Sequence, residues 1–85
     1  MYLKSYKELV VWQKSVDLVE GVYKLTSQFP DHEKYGLSSQ MRRAAVSIPS
    51  NIAEGSRRKD IPEYLQFLRV SDASSAELET QIMRT

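Results

Sequence analysis

The sequence predicts an all-α fold with three helices, over about residues 8–29, 38–55 and 61–85, that run up and down in turn. Apolar residues recur at intervals of three and four through each range, which is the spacing of one helix face. Short polar segments separate the ranges, and connections of that length join antiparallel neighbours. A helix-start motif opens the third range.

The length of the chain predicts a single domain over residues 1–85 with a small core. A chain of 85 residues buries only about 60% of its extended surface on folding. Apolar residues make up 41% of the sequence and charged residues 27%, a balance typical of globular chains and too apolar for a disordered one. We therefore expect a folded chain of modest stability.

Composition also narrows the chemistry. The chain has no cysteine and one histidine, so we expect no disulfide, no structural metal and no cofactor. The N-terminal residues MYLKSYKE lack the apolar region of a secretion signal, and no segment approaches the roughly 18 apolar residues of a membrane span. We expect a cytoplasmic protein with no membrane partner.

The first helix carries two neighbouring apolar stripes and so predicts contact with two partners. One stripe contains Trp12, which at this spacing is more often a packing or interface anchor than a ligand-binding group. The other contains Val11, Leu18 and Leu25. Gly21 costs about 1 kcal/mol in a helix relative to alanine, and we expect another backbone to approach it closely. Phe29 is expected to end the helix, because Pro30 follows it.

The second helix contains a proline that does not interrupt its apolar rhythm. Ser38 or Ser39 can cap the start of this helix. Ile48 and Ile52, on either side of Pro49, stay in phase with the positions before them, which favours one continuous kinked helix over two helices joined by a turn. Ile48, Pro49 and Ile52 are predicted packing residues. Gly55 is a candidate C-cap.

The third helix is predicted to begin at the capping motif Asp60-Ile61-Pro62-Glu63. Its packing seam includes Leu68 and Leu78 as packing residues, with Ser71 and Ser75 between them, and serines there predict tight helix approach or a polar spot in the core. The pattern still runs at the C-terminus. Because three helices with broad apolar faces leave uncovered surface, we expect a truncated chain that lacks a further helix.

Positive charge is concentrated in residues 42–59. This range holds five cations against Glu54 alone, namely Arg42, Arg43, Arg57, Arg58 and Lys59. A helical projection puts Arg43, Ser47, Ser50, Glu54 and Arg57 opposite the apolar side, with Arg42 at the border. Three interpretations remain open: binding of nucleic-acid phosphates, a solvated face with a Glu54–Arg58 pair, or docking on the acidic residues Asp72, Glu77 and Glu79 of a neighbouring subunit.

Other residues offer little chemistry. No aromatic residue interleaves the arginines in the sequence, which argues against base stacking on single strands. His32 lacks a nucleophile that it could activate, and Ser47 and Ser50 lack a catalytic partner, so we interpret all three as polar surface or capping residues. We expect Asn51 to make local hydrogen bonds and Asp72 to be exposed to solvent. We expect no enzymatic activity.

A family resemblance rests on motifs spread over nearly the whole chain. These are Val11-Trp12-Gln13, Phe29-Pro30, Tyr35-Gly36-Leu37, Gln40 to Ala45, Ser47 to Gly55, Phe67-Leu68 and Glu77 to Ile82. The sequence resembles bacterial four-helix bundle proteins encoded in intervening sequences of large-subunit ribosomal RNA genes. The most specific part is the SIPSNIAEG segment.

The resemblance implies an up-down four-helix bundle that assembles as a ring-shaped homopentamer. A related member, the accessory variability protein of diversity-generating retroelements, associates with a reverse transcriptase and nucleic acid. This chain is expected to depart from the family pattern by lacking a fourth helix, and it has the more basic Ser56-Arg57-Arg58 after Gly55. The family supplies no catalytic residues to carry over.

Taken together, the sequence predicts a non-enzymatic homo-oligomeric bundle protein. We expect it to bind RNA or DNA through Arg42, Arg43, Arg57, Arg58 and Lys59. The alternative is a scaffold that recruits a partner protein through its apolar stripes and has no nucleic-acid role.

Overall fold

The computed structural model describes residues 5–85 and confirms the all-α fold. Helix α1 spans Val10–Thr26, α2 spans Ser39–Ser56 and α3 spans Ile61–Met83, with a 3₁₀ turn over Tyr6–Glu8 before α1. The described part of the chain contains these three long helices and no strand. Each predicted helix is thus present, with ends that shift by up to three residues.

Helix α2 lies between the other two helices, and both α1 and α3 pack mainly against it. Successive contacts on α3 meet earlier and earlier residues of α2, so these two helices are antiparallel: Tyr64 and Phe67 lie at Gly55, whereas Ser71 lies at Ile48. Because α1 and α3 contact each other little, the bundle is open on one side.

The core is small and centred on α2. Its fully buried apolar members are Val22, Met41, Ala44, Ala45, Ile48, Ile52 and Leu78. Trp12 and Leu68 are half-buried and pack against this cluster. The Trp12 ring also meets Tyr6 edge to face, with centroids 5.2 Å apart. Five of the seven core residues belong to α2, so α2 supplies most of the apolar surface that the other helices cover.

Pro49 lies inside α2 without ending it, as the unbroken phase of the apolar residues predicted. Proline removes one backbone hydrogen bond and crowds the carbonyl four residues earlier, which costs about 3 kcal/mol in a helix interior. The proline is buried, and the Ser71 hydroxyl of α3 donates to the adjacent Ile48 carbonyl at 3.1 Å. Packing against α3 therefore offsets part of the cost.

Two serines, Ser71 and Ser74, are buried where α3 meets α2. Ser74 Oγ lies 2.8 Å from Ser47 Oγ, which also accepts a hydrogen bond from Asn51 Nδ2. The prediction of close approach at Ser71 is confirmed. Ser75 is exposed, so its assignment to the packed seam is wrong. Ser47 is half-buried against α3 rather than on the outer face.

Helix α1 ends at Thr26, three residues before the predicted end at Phe29. The hydroxyls of Thr26 and Ser27 donate to the carbonyls of Val22 and Lys24, which gives the last turn side-chain partners. The chain then forms tighter turns, in which the Phe29 amide donates to the Thr26 carbonyl. The helix thus ends before Pro30 is reached.

The connection to α2 is also more regular than predicted. A 3₁₀ turn over Asp31–Glu33 leads into a π-helical turn over Lys34–Ser38, and this turn continues directly into α2. The predicted cap at Ser38 or Ser39 is wrong, because the Ser38 side chain makes no capping hydrogen bond and its backbone is already helical. A continuing helix needs no cap at that residue.

Both glycine predictions within helices are wrong. Gly55 lies inside α2 and has no positive φ, so it is not a left-handed C-cap. A Cβ placed there would lie 2.8 Å from Phe67 Cβ, and the glycine instead allows α3 to approach α2. At Gly21, an added Cβ would meet nothing within 4 Å. The predicted capping of α3 is confirmed, since Asp60 Oδ1 accepts from the Glu63 amide at 3.5 Å.

Candidate nucleic-acid interface

Arg43 lies on the outer side of α2, and Arg57 follows the last residue of this helix. They are 14 positions apart, which corresponds to about 21 Å along a helix and to nearly the same angular position. Both side chains are exposed, as are Ser50 and Glu54 between them. Within the described residues neither guanidinium group has a hydrogen bond or an ion pair. Their guanidinium groups are therefore free to contact an external anion.

Arg42 points instead to α1. Its Nε donates to Thr26 Oγ1 at 2.8 Å, and its Cζ lies 4.4 Å from the centre of the Tyr23 ring. The side chain is half-buried. A guanidinium that stacks on an aromatic face and donates to a neighbouring helix has fewer donors left for phosphate. Arg42 thus differs from the other four basic residues, because its side chain is held against α1.

Arg58 follows the last turn of α2 and is held in place by two contacts. Its Nη2 lies 3.2 Å from Glu54 Oε2, which confirms the predicted pair, and its Cζ lies 4.7 Å from the Phe67 ring centre. The side chains of Arg58 and Glu54 remain 40% and 61% exposed. Arg58 is therefore both oriented by α3 and accessible to solvent.

A cleft of about 300 Å³ lies between the end of α2 and the first turns of α3. We call it the turn cleft. Its lining includes the charged residues Arg58, Lys59 and Asp60 and the apolar or aromatic residues Ile61, Tyr64 and Leu65. Ile61 is 73% exposed and Leu65 is 42% exposed. The cleft thus combines apolar surface with two cations and one carboxylate.

Aromatic rings lie beside the arginines, contrary to the expectation from the sequence. Tyr23 lies under Arg42, Phe67 lies under Arg58, and Tyr64 lines the same cleft as Arg58. The rings belong to other helices, so spacing along α2 could not reveal them. The length of the turn after α2 could have revealed two of them. Because this turn is short, it must place the first turns of α3, with Tyr64 and Phe67, beside the last turn of α2.

Other candidate residues show no catalytic grouping. His32 is largely exposed and its Nε2 lies 3.9 Å from Glu33 Oε1. Asn51 donates to the Ser47 carbonyl at 2.8 Å, and Asp72 is exposed, as expected for both. Among the described residues, no group of three or more His, Cys, Asp or Glu side chains could hold a metal ion.

A second exposed apolar region lies between α1 and α3. Leu18 of α1 faces Ser75, Ile82 and Met83 of α3 across a cleft of about 270 Å³. We call it the open groove. Leu18 and Ile82 are each 39% exposed and Met83 is 81% exposed. In the described helices, no segment combines the length and the apolar character needed to cross a membrane.

These observations define the class of protein: a small all-α helical-bundle protein with a basic outer surface at its central helix. The chain belongs to the 23S rRNA-intervening sequence protein family, whose family model matches residues 7–85. The resemblance inferred from the SIPSNIAEG segment and its neighbouring motifs is therefore confirmed. A comparison with curated proteins gives no match.

Proposed function

We propose that this chain is a non-enzymatic, cytoplasmic bundle protein that binds nucleic acid through phosphate contacts. The contacts are made by the basic surface, which we define as Arg43, Arg57, Arg58 and Lys59. The observation that supports this most is that the exposed guanidinium groups of Arg43 and Arg57 have no partner inside the described chain. Arg42 is left out of the surface because α1 holds it.

Electrostatics explains how four side chains can suffice. Each phosphate that a cation neutralises releases condensed counterions, and this release drives association in a manner that weakens steeply with salt. One chain offers few contacts. We propose that the chain forms a homo-oligomer, a pentamer by family resemblance, which would repeat the basic surface around the assembly.

The test measures binding to RNA and to DNA, each single-stranded and duplex, over a range of salt concentrations. The double variant Arg43→Glu/Arg57→Glu is expected to lower affinity about tenfold or more. It should also reduce the salt slope by about 0.7 to 0.9 for each phosphate that is no longer neutralised. The matched control is Lys14→Glu/Lys24→Glu, which makes the same charge change at exposed positions of α1. It should have a much smaller effect.

Two results would overturn the proposal. One is absence of binding by the unaltered chain at low salt. The other is an equal loss of affinity in both double variants, because the effect would then follow net charge rather than the basic surface. Light scattering with absorbance at 260 nm on the same peak reports the assembly and any bound nucleic acid together.

The open groove favours a second candidate function, recruitment of a partner protein. Its apolar side chains lie at the surface although the chain has little core to spare, and exposed apolar patches mark interaction sites. Leu18→Asp changes a side chain that is already 39% exposed. If the scaffold function is right, this variant loses a purified partner while its nucleic-acid affinity is unchanged.

A further inference from the structure

We propose that the turn cleft receives one unstacked nucleobase of a single strand whose phosphates lie on the neighbouring basic surface. This inference rests on the proposed function, because it names the form of nucleic acid that the same surface prefers. A fully paired duplex keeps its bases inside the helix, so it could contact only the cations. The cleft would therefore make the protein prefer strands with unpaired bases.

The apolar side of the cleft supplies a surface for a flat ring. Ile61, Tyr64 and Leu65 fall at the spacing of one helical face of α3, and they do not join the buried core. Ile61 is 73% exposed, so burial in the core does not explain why an apolar residue occupies this position. Bases stack on aromatic side chains in proteins that bind single strands, whatever the base, because every base has a π-face.

The charged side of the cleft is continuous with the basic surface. Lys59 and Arg58 line the cleft, and Arg57 immediately precedes them at the end of α2. Arg58 is oriented by Phe67 and Glu54, whereas Lys59 has no ion pair within the described residues. A strand that follows Arg43 and Arg57 thus arrives at the cleft with its phosphates beside cations.

The N-terminus of α3 is not the anion-binding element here. The Asp60 carboxylate accepts from the Glu63 amide, so a side chain of the protein already serves the first turn. The same carboxylate would repel a phosphate inside the cleft. It can accept from the amino groups that bases present on their edges, which is consistent with a base inside the cleft and phosphates outside it.

The size of the cleft favours a single base over larger occupants. At about 300 Å³ it is at the lower end of the range for ligand pockets. An α-helix with its side chains is about 10 Å across and needs a long groove, such as the one between α1 and α3. Two cations against one carboxylate also favour a ligand with negative charge. A base that carries its phosphate meets both conditions.

The experiment compares a single-stranded RNA with the fully paired duplex of the same sequence at one salt concentration. Tyr64→Leu keeps an apolar side chain and removes the ring, and Ile61→Asn changes a mostly exposed residue. Each is expected to weaken single-strand binding about tenfold and to leave duplex binding unchanged. Val70→Asn, at a 43% exposed apolar position of α3 outside the cleft, is the matched control and should change neither. A strand that contains 2-aminopurine should change its fluorescence on binding, and Tyr64→Leu should remove that change.

The outcomes are distinguishable. If the cleft variants bind both ligands as the unaltered chain does, the base site is overturned while phosphate binding by the basic surface stands. If the unaltered chain binds neither ligand at low salt, both proposals fail. If an acidic peptide binds the cleft and RNA does not, the occupant is a polypeptide and the base site is overturned. A lower assembly mass for Ile61→Asn would make the cleft an interface between copies, and this also overturns it.

Discussion

The two sides of α2 are held by different kinds of contact. On the side of α3, small groups allow the backbones to approach: Gly55 leaves room for Phe67, and Ser71 donates to the carbonyl of Ile48. On the side of α1, a long side chain bridges the helices, because Arg42 donates to Thr26 and stacks on Tyr23. Close approach needs small residues at matched positions, whereas a bridging arginine tolerates a wider separation.

The two interfaces of α2 therefore differ in how closely the helices approach, although each buries an apolar residue of the neighbouring helix. Val22 of α1 and Leu78 of α3 are equally buried, each at 2% exposure. Each helix buries two hydroxyl residues, but Ser71 and Ser74 of α3 hydrogen-bond to α2, whereas Ser15 and Thr26 of α1 donate to carbonyls of α1 itself. The α3 side also has the glycine contact. We therefore expect substitutions on the α3 side to be less well tolerated than those on the α1 side.

The largest expected effect comes from truncating the buried residue on each side. Leu78→Ala should lower the free energy of unfolding by about 2–5 kcal/mol, because Leu78 is 2% exposed and its truncation removes buried apolar contacts. Val22→Ala removes fewer atoms, at about 0.8 kcal/mol for each buried methylene before any cavity cost. Urea denaturation at one fixed protein concentration measures both. An equal loss of stability for each carbon atom removed would show that the two sides are packed alike.

The next effect separates the two helical glycines. Gly55→Ala should destabilise the protein by about 1–3 kcal/mol, because the new methyl group would lie 2.8 Å from Phe67 Cβ and 3.3 Å from the Tyr64 carbonyl oxygen. Gly21→Ala should stabilise it by about 0.5–1 kcal/mol, since the methyl group meets nothing within 4 Å and alanine favours a helix. Thermal and urea unfolding measure the two changes. A stabilising Gly55→Ala would contradict the close approach of α3.

The sequence predicted the helices well because periodic apolar residues report which face is buried. Ile48 and Ile52 are predicted packing residues of the second helix, and both are buried, as are Met41 and Ala45 on the same side. The phase across Pro49 correctly predicted a continuous helix, because residues on both sides of the proline keep the same helical rhythm although one backbone hydrogen bond is lost.

The glycines and serines were harder to predict. Glycine in a helix is compatible with a cap, with close packing or with neither, and only the position of the neighbouring helix decides among these. Gly55 and Gly21 were therefore misassigned. Ser74 was missed and Ser75 chosen, although they are adjacent, because neither residue carries an apolar signal that fixes its direction.

In the candidate site too, some features could be predicted from the sequence and others could not. Exposure of Arg43 and Arg57 follows from the helical projection, which depends on α2 alone. The contact of Arg42 with Tyr23 and the place of Tyr64 in the turn cleft depend on contacts between helices. Such contacts join residues that are distant in the sequence or lie across a turn, so periodicity within one helix could not predict them.

A smaller effect tests the bridge on the α1 side. Arg42→Lys should lower the free energy of unfolding by about 1 kcal/mol, because an ammonium group lacks the planar face that stacks on Tyr23 and cannot reproduce the guanidinium geometry toward Thr26. Arg43→Lys, at the exposed neighbouring position, should change it by less than about 0.5 kcal/mol. Urea denaturation compares the two variants. If they behaved alike, the bridge would contribute nothing particular to the α1 side.

The smallest expected effect concerns the ion pair at the end of α2. Glu54→Gln removes the charge that pairs with Arg58 at 3.2 Å, and both side chains are well exposed. We expect the free energy of unfolding to fall by about 0.3–0.5 kcal/mol at low salt. This effect should vanish near 1 M salt, where the screening length is about 3 Å.

The effect of Arg42→Lys should persist at that salt, because Thr26 and Tyr23 are neutral. Unfolding curves for both variants at two salt concentrations would show whether the bridge to α1 is a packing contact and the pair beside α3 a screened surface interaction. A destabilisation by Glu54→Gln that survives high salt would mean that Phe67 shields the pair from solvent, and the α3 side would then have an electrostatic component as well.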